Sequence, residues 1–293
     1  MILIDGKKVA ADIRSELKDK ISQLKAEGKN VPGLVAIIVG EDPASQIYVA
    51  SKGKACEEIG MRTKTEKLSA DISEPELLSL IQSYNQNKDY HGILVQLPLP
   101  KHINEDKVIE TISPKKDVDG FHPISVGNLV IGKDTFASCT PAGIQELLIR
   151  YKIETKGKHV VVVGRSNIVG KPIANIMLQK AEGANSIVTI VHSAAKEISY
   201  YTKQADILIA AIGKAEMIKA DMVKDGVAVI DVGINRIDDP TKAKGYRIVG
   251  DVDFENVSKK ASFITPVPGG VGPMTIAMLL SNTYKAYNLY GEK

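Results

Sequence analysis

Val160-Val-Val-Val-Gly164-Arg-Ser166-Asn-Ile-Val-Gly170-Lys-Pro172 is an apolar run of strand length, a tight turn and the start of a helix. A glycine pattern alone is a weak signal, and this one gains weight from following a strand and opening a helix. Glycine lets the backbone approach a pyrophosphate, and the helix amino terminus supplies N–H groups and positive dipole. The spacing departs from the usual dinucleotide fingerprint: Ser166 replaces the second glycine, and the last glycine comes one residue late. An ordinary strand-to-helix turn would share the pattern. Dinucleotide binding is favoured because apolar strands surround it, at 159–164, 187–191, 206–211 and 227–232, with shorter candidates at 248–250 and 262–265.

The residues before this stretch repeat the same rhythm. Ile13, Leu17, Ile21 and Leu24 recur at helical spacing until Gly28. An apolar strand follows at 32–40, a helix opened by Pro43, a strand at 62–68, a helix at 74–87 and a strand at 92–97 stopped by Pro98 and Pro100. Such alternation implies a parallel sheet wrapped by helices. Residues 101–139 are less regular, with a turn at 115–121. Thr140 caps a helix to Arg150, and a last helix spans 273–289. The expected fold is α/β with two domains flanking a cleft: an N-terminal α/β domain with a parallel sheet, and a Rossmann-like dinucleotide-binding domain. The boundaries are placed at 1–140 with 273–293 for the first and 141–272 for the second.

The totals narrow the function. The chain of 293 residues is 44% hydrophobic and 25% charged, which are globular values. A net charge of +3 without an interleaved aromatic-basic motif argues against nucleic acid. Cys56 and Cys139 match no zinc or redox spacing, so no metal is expected. They read as reduced thiols of a reducing compartment. No signal-peptide pattern and no apolar run of about 20 residues is present, so a cytoplasmic protein without membrane contact is expected.

Chemistry-bearing residues gather before Thr140. In the helix after Pro43, Ser45, Tyr48, Cys56 and Ile59 fall within about 40° of Lys52, so one ammonium interrupts an otherwise apolar stripe. Taken alone, Lys52 reads either as a snorkelling side chain or as a desolvated amine of lowered pKa serving proton transfer. Gln96 lies at the carboxyl end of the strand at 92–97, where open parallel sheets place their chemistry. Asp119, in the Asp117-Val-Asp119-Gly turn, is either solvated turn chemistry or a clasp for an amine-bearing heterocycle. The stretch Thr265-Pro-Val-Pro268-Gly269-Gly270-Val-Gly272-Pro273-Met-Thr275 makes a stiff loop whose backbone can touch a ligand. On the cofactor side, the strand at 187–191 ends in His192-Ser193 and not in the carboxylate that binds a ribose 2′-hydroxyl. With Arg165 in the glycine turn, this favours NADP.

Five motifs together resemble one family. Tyr48-Val-Ala-Ser-Lys52-Gly-Lys-Ala, Gly92-Ile-Leu-Val-Gln96-Leu-Pro-Leu, Lys116-Asp-Val-Asp119-Gly, Val163-Gly-Arg-Ser-Asn-Ile-Val-Gly170-Lys-Pro and Pro266-Val-Pro-Gly-Gly-Val-Gly-Pro-Met-Thr275 are similar to those of the bifunctional methylenetetrahydrofolate dehydrogenase/methenyltetrahydrofolate cyclohydrolases. The resemblance runs nearly end to end, in the family's order. It implies oxidation of 5,10-methylenetetrahydrofolate with NADP, then hydrolysis of the methenyl product to 10-formyltetrahydrofolate. It makes Lys52 the acid/base, Tyr48 its ordering partner, Gln96 a positioning group and Asp119 the pterin ligand. Leu97, Pro268, Gly269 and Gly270 would face the folate; Gly164, Arg165, Ser166, Ser193 and Ile234 would hold the cofactor. A homodimer is also implied. Ala194 and Ala195 stand where the family often has a basic residue after the His-Ser pair. Rival readings are a family dehydrogenase with weak or absent hydrolysis, a non-catalytic nucleotide sensor, or a dehydrogenase for an unrelated small acid.

Overall fold

The computed structural model describes residues 1–242 and 245–291. In chain order its first half runs β1 (Ile2–Leu3), α1 (Gly6–Ala26), β2 (Gly33–Val39), α2 (Pro43–Glu58), β3 (Arg62–Leu68), α3 (Glu74–Gln86), β4 (Gly92–Val95), α4 (Glu105–Thr111) and α5 (Pro123–Val130). The second half runs α6 (Cys139–Arg150), β5 (His159–Val163), α7 (Gly170–Leu178), β6 (Ile187–Val191), α8 (Ile198–Thr202), β7 (Ile207–Ala210), β8 (Ala228–Asp231), β9 (Asn235–Asp238), β10 (Tyr246–Val249), α9 (Phe254–Val257), β11 (Phe263–Ile264) and α10 (Val271–Tyr290). The chain forms two compact units, one of residues 1–10 with 140–275 and one of residues 11–139 with 276–293. Among the described residues, no helix is long and apolar enough to cross a membrane.

The unit of residues 11–139 is built on a three-stranded parallel sheet with β2 between β3 and β4. All seven residues of β2 are buried, as a central parallel strand requires. β3 is one of the two edge strands, and its Arg62, Lys64 and Lys67 leave a charged border that discourages further pairing. Val35, Ile37, Leu77, Ile81, Ile93 and Val108 form the core between sheet and helices. Asp42 caps α2 by accepting from Ser45 N at 2.8 Å. Ser73 and Glu76 form a capping box on α3.

The stretch 101–139, irregular by sequence, contains α4 and α5. These helices have 7 and 8 residues, too short for an apolar period to repeat. Local caps start them: Asn104 accepts from Lys107 N, and His122 accepts from Ile124 N. α10 then fastens this stretch down. Asn282 donates to Val118 O at 2.8 Å and Ala137 O at 3.0 Å, while Lys285 donates to Thr135 O and pairs with Asp134.

The unit of residues 1–10 and 140–275 carries a six-stranded parallel sheet in the order β1-β11-β8-β7-β5-β6. Strand β5, which opened the sequence reading, is central, and Val160 to Val163 are buried. The chain leaves β5 to one side for β6 and returns on the other for β7, so the topological switch lies beside β5. The amino-terminal strand has no counterpart in the sequence reading. It pairs Ile2 with Phe263 and Leu3 with Ile264, which ties the first ten residues to this unit. Two residues are too few for any period to show. β10 pairs antiparallel with β9 outside the main sheet, and the Arg236 guanidinium stacks 3.9 Å from the Tyr246 ring centre.

Asn282→Leu keeps the volume but leaves the Val118 and Ala137 carbonyls without their amide donor. It should cost about 2 kcal/mol, read as a lower urea midpoint at unchanged slope. An unchanged midpoint would show that these bonds do not hold residues 118–137.

Candidate active site

Lys52 lies mid-helix in α2, on the face that buries Ser45, Val49, Ala55 and Cys56. It is only 7% exposed. Its Nζ donates to Gln96 Oε1 at 3.1 Å. The Gln96 Nε2 donates in turn to Leu97 O at 2.8 Å, so the amide presents its oxygen to the lysine. Gln96 sits one residue past β4, its N–H bonded to Ile37 O of β2. Tyr48, one turn before Lys52, departs from the expected stripe: it is 42% exposed. Its ring centre lies 5.8 Å from Lys52 Nζ. The Tyr48 position, about 40° from Lys52, falls within the arc that holds the buried Ala55 and Val49, so its exposure reflects what packs over this end of α2 and not the helical period.

Asp119 reaches the same place through the loop after α4. Ile93 N donates to Lys116 O, and Ile93 bridges to Asp117, so residues 116–119 run beside β4. Asp117 shapes the turn. It is buried and accepts from Phe121 N at 3.1 Å and His122 N at 2.9 Å. Burial pushes its carboxyl up to about 6, against the pull of its hydrogen bonds. Asp119 is partly buried. Desolvation raises its carboxyl above the ordinary range, while the Lys52 charge and the Cys139 thiol, 3.9 Å away, pull it down. Lys52, Tyr48, Gln96, Leu97 and Asp119 thus form one cluster at the carboxyl end of the small sheet.

The glycine turn of the other unit has the shape a dinucleotide needs. Gly164 ends β5 with φ +136°, and a Cβ there would lie 2.1 Å from Ala211 O. A Cβ on Gly170 would lie 2.3 Å from Gly164 O, so helix α7 starts hard against the strand end. Ser166 Oγ accepts from Val169 N and Gly170 N at 3.1 and 3.3 Å, capping α7 where a second glycine usually stands. Arg165 and Ser166 are exposed, and so are Ser193 after β6 and Ile234 after β8. All five sites lie on turns that leave the carboxyl ends of parallel strands, where this fold binds ligands.

Residues 138–290 match the tetrahydrofolate dehydrogenase/cyclohydrolase NAD(P)-binding domain, and residues 4–119 match the catalytic domain of the same family. The bifunctional protein FolD of Chloroherpeton thalassium is 61% identical over 289 residues, which cover 98% of each chain. The chain belongs to this family. The fold agrees: the FolD methylenetetrahydrofolate dehydrogenase/cyclohydrolase of Campylobacter jejuni superposes with a TM-score of 0.93 at 52% identity, covering 98% of this chain and 99% of that one. The Trypanosoma brucei methylenetetrahydrofolate dehydrogenase-cyclohydrolase, solved with NADP cofactor and an inhibitor, matches with a TM-score of 0.91 at 38% identity, covering 98% and 97%. The protein is therefore a bifunctional dehydrogenase/cyclohydrolase of one-carbon folate metabolism, with an NAD(P)-binding domain.

In this dehydrogenase/cyclohydrolase the loop of Pro268, Gly269 and Gly270 belongs to the dinucleotide-binding unit. Pro268 is exposed, whereas Gly269 and Gly270 are buried and Gly269 O accepts from Lys7 N at 3.1 Å. Sequence reasoning missed Asp117 and a second buried carboxylate, Asp231, at the end of β8. Asp231 accepts from Gly233, Asp251 and Val252 N–H groups and is pushed up to about 7 by burial. The available signal for Asp231 was an aspartate ending an apolar strand two residues before a glycine, and for Asp117 it was the first carboxylate of an Asp-Val-Asp-Gly turn.

The raised Asp117 carboxyl has a pH signature. Its folded-state value lies above the roughly 3.9 of an unfolded chain. Its contribution to stability is therefore complete below about pH 4 and is lost as pH rises through about 6. Asp117→Asn cannot ionise, so the urea midpoint of the variant relative to wild type should shift in the variant's favour between about pH 4 and pH 7. Parallel pH profiles would clear Asp117 of that role.

Proposed function

We propose that Lys52 is the acid/base of the hydrolytic step and that hydride transfer is governed by positioning. The contact that carries this reading is the 3.1 Å bond from a 7% exposed Lys52 Nζ to Gln96 Oε1. An amide oxygen can hold one ammonium hydrogen without taking the proton, which orients the nitrogen and leaves its lone pair or remaining protons for substrate. In hydrolysis, water adds to the methenyl carbon and loses one proton to give a neutral carbinol. Its hydroxyl then loses the second proton as the carbonyl forms, the N5–carbon bond breaks, and N5 keeps the electron pair and is protonated. One proton leaves to solvent overall. Lys52 is suited to take a proton from the water and to deliver one to N5. Tyr48, one turn before Lys52, orders the amine. Asp119 binds the pterin, because a carboxylate accepts two N–H groups of an aminopyrimidinone ring. Leu97 and the Pro268-Gly269-Gly270 loop line the folate.

The bound nicotinamide supplies the hydride acceptor. This chain's residues hold the dinucleotide: Gly164 admits the pyrophosphate, Ser166 and Ser193 offer hydroxyls, Ile234 packs against it, and Arg165 meets a 2′-phosphate. NADP is favoured over NAD because Arg165 is exposed at the turn and β6 ends in His192 and Ser193 without a carboxylate. The working form we propose is a cytoplasmic homodimer. Its support is the family resemblance, two buried free thiols, and exposed Ile187 and Ile190 on β6 at the sheet edge, apolar surface that a second copy would cover.

Lys52→Met should lower hydrolysis of supplied methenyltetrahydrofolate by about 10²- to 10⁴-fold while folate still binds. Undiminished hydrolysis would remove Lys52 from the mechanism. Arg165→Ala should raise KM for NADP by about tenfold or more and leave KM for NAD within about twofold. Equal use of both nucleotides by the wild-type protein would sink the NADP preference.

A further inference from the structure

Asp251 follows β10 and is fully buried. Its carboxylate receives four donors, three from the loop after β7 and one from the first residue of β9. Ile212 N and Gly213 N donate to Oδ2 at 2.6 and 2.9 Å, and Lys214 N donates to Oδ1 at 3.0 Å. The fourth is Asn235 Nδ2, 2.9 Å from Oδ1. Three successive backbone N–H groups aimed at one anion form a nest, the concavity that elsewhere takes a phosphate, and Gly213 at φ +73° supplies its left-handed residue. Here the protein fills the nest with its own side chain. Asp251 is itself fixed, its N–H donating to Asp231 Oδ1 at 2.9 Å and its C=O accepting from Ile218 N at 2.9 Å.

Both segments held by this carboxylate adjoin the dinucleotide turns. The nest begins one residue after Ala211, the residue against which Gly164 packs too closely for any side chain. Asn235 follows Ile234 directly. We propose that Asp251 is a positioning residue for the dinucleotide: by occupying the nest at Ile212, Gly213 and Lys214 and anchoring Asn235, it sets the geometry of the Gly164 turn and of Ile234. The inference rests on the assignment of that turn to NADP. Asp251 needs no contact with the nucleotide, since it acts through the backbone it holds.

Asp251→Asn keeps the shape but loses the charge and turns an NH2 toward the nest. NADP binding to the full-length protein, followed by calorimetric titration, should weaken by about tenfold to a hundredfold, with KM for NADP rising in step. Hydrolysis of supplied methenyltetrahydrofolate, measured without nucleotide, should stay within about twofold of wild type, because Lys52, Gln96 and Asp119 lie in a unit with its own core. Unchanged NADP affinity would overturn the proposal, as would hydrolysis falling by the same factor as nucleotide binding. If Asp251→Asn does not fold, Asn235→Ala removes one donor, and NADP should bind about threefold to tenfold more weakly. An unchanged affinity there overturns the proposal equally. Wild-type protein that binds neither NADP nor NAD would sink the cofactor assignment itself, and this inference with it. Wild-type binding matched by the variants would sink this inference alone.

Discussion

A polar group taken out of water must be given partners, and that constraint shapes the loops on which function rests. Three buried aspartates meet it with backbone N–H groups. Asp117 gathers two from Phe121 and His122, Asp231 gathers three, and Asp251 gathers three more with a side-chain amide. A bond to a charged acceptor contributes about 1.5–3 kcal/mol, and an orphaned buried carboxylate would cost more. Each aspartate therefore enforces one loop geometry among the many an irregular segment could adopt. The loops so fixed carry Asp119 in one unit and surround Gly164 and Ile234 in the other.

Lys52 obeys the same rule with Gln96 as its one hydrogen-bond partner among the described residues. A buried ammonium satisfied by one amide oxygen is held in place without being neutralised, whereas a carboxylate partner would have locked the proton down. Asp119 sits close enough to feel the lysine's charge, yet no salt bridge joins them among the described residues. The arrangement leaves amine and carboxylate available for substrate, and in the function we propose it separates roles: proton transfer near Lys52, ring recognition near Asp119. Asp117, Asp231 and Asp251 take two, three and four N–H donors from the chain, whereas Asp119 takes the Cys139 thiol alone among the described contacts.

The sheets place these groups. In the small sheet, β2 at the centre brings α2 and β4 together, so Lys52 and Gln96, 44 positions apart, come within hydrogen-bonding distance. In the large sheet the strand order reverses beside β5, so the glycine turn opens where neighbouring strands diverge. The two missing fingerprint features find their reason here. Ser166 in place of glycine caps α7 with its hydroxyl, and the late glycine is the one that lets the helix start against the strand end.

Much of this was legible in the residues. Apolar runs of strand length alternating with helical spacing determined an α/β chain with parallel sheets, because burial on both faces demands continuous apolar strands. Gly164 and Gly170 marked a close strand-to-helix approach, because nothing larger fits. Lys52, Gln96 and Asp119 were visible as polar groups at helix faces and strand ends where apolar or turn residues are cheaper. Three-dimensional packing alone decided the rest. The strand of Ile2 and Leu3 exists only because Phe263 and Ile264 are there to pair with it. The short helices between 101 and 139 depend on single caps and on Asn282 from the far end of the chain. Tyr48 shares the arc of Lys52 on α2 yet remains exposed, because burial of a helix position depends on what packs over it and not on its place in the period. Local periodicity reports what a segment can bury, whereas partners brought from 44 to 164 positions away decide which polar groups are satisfied.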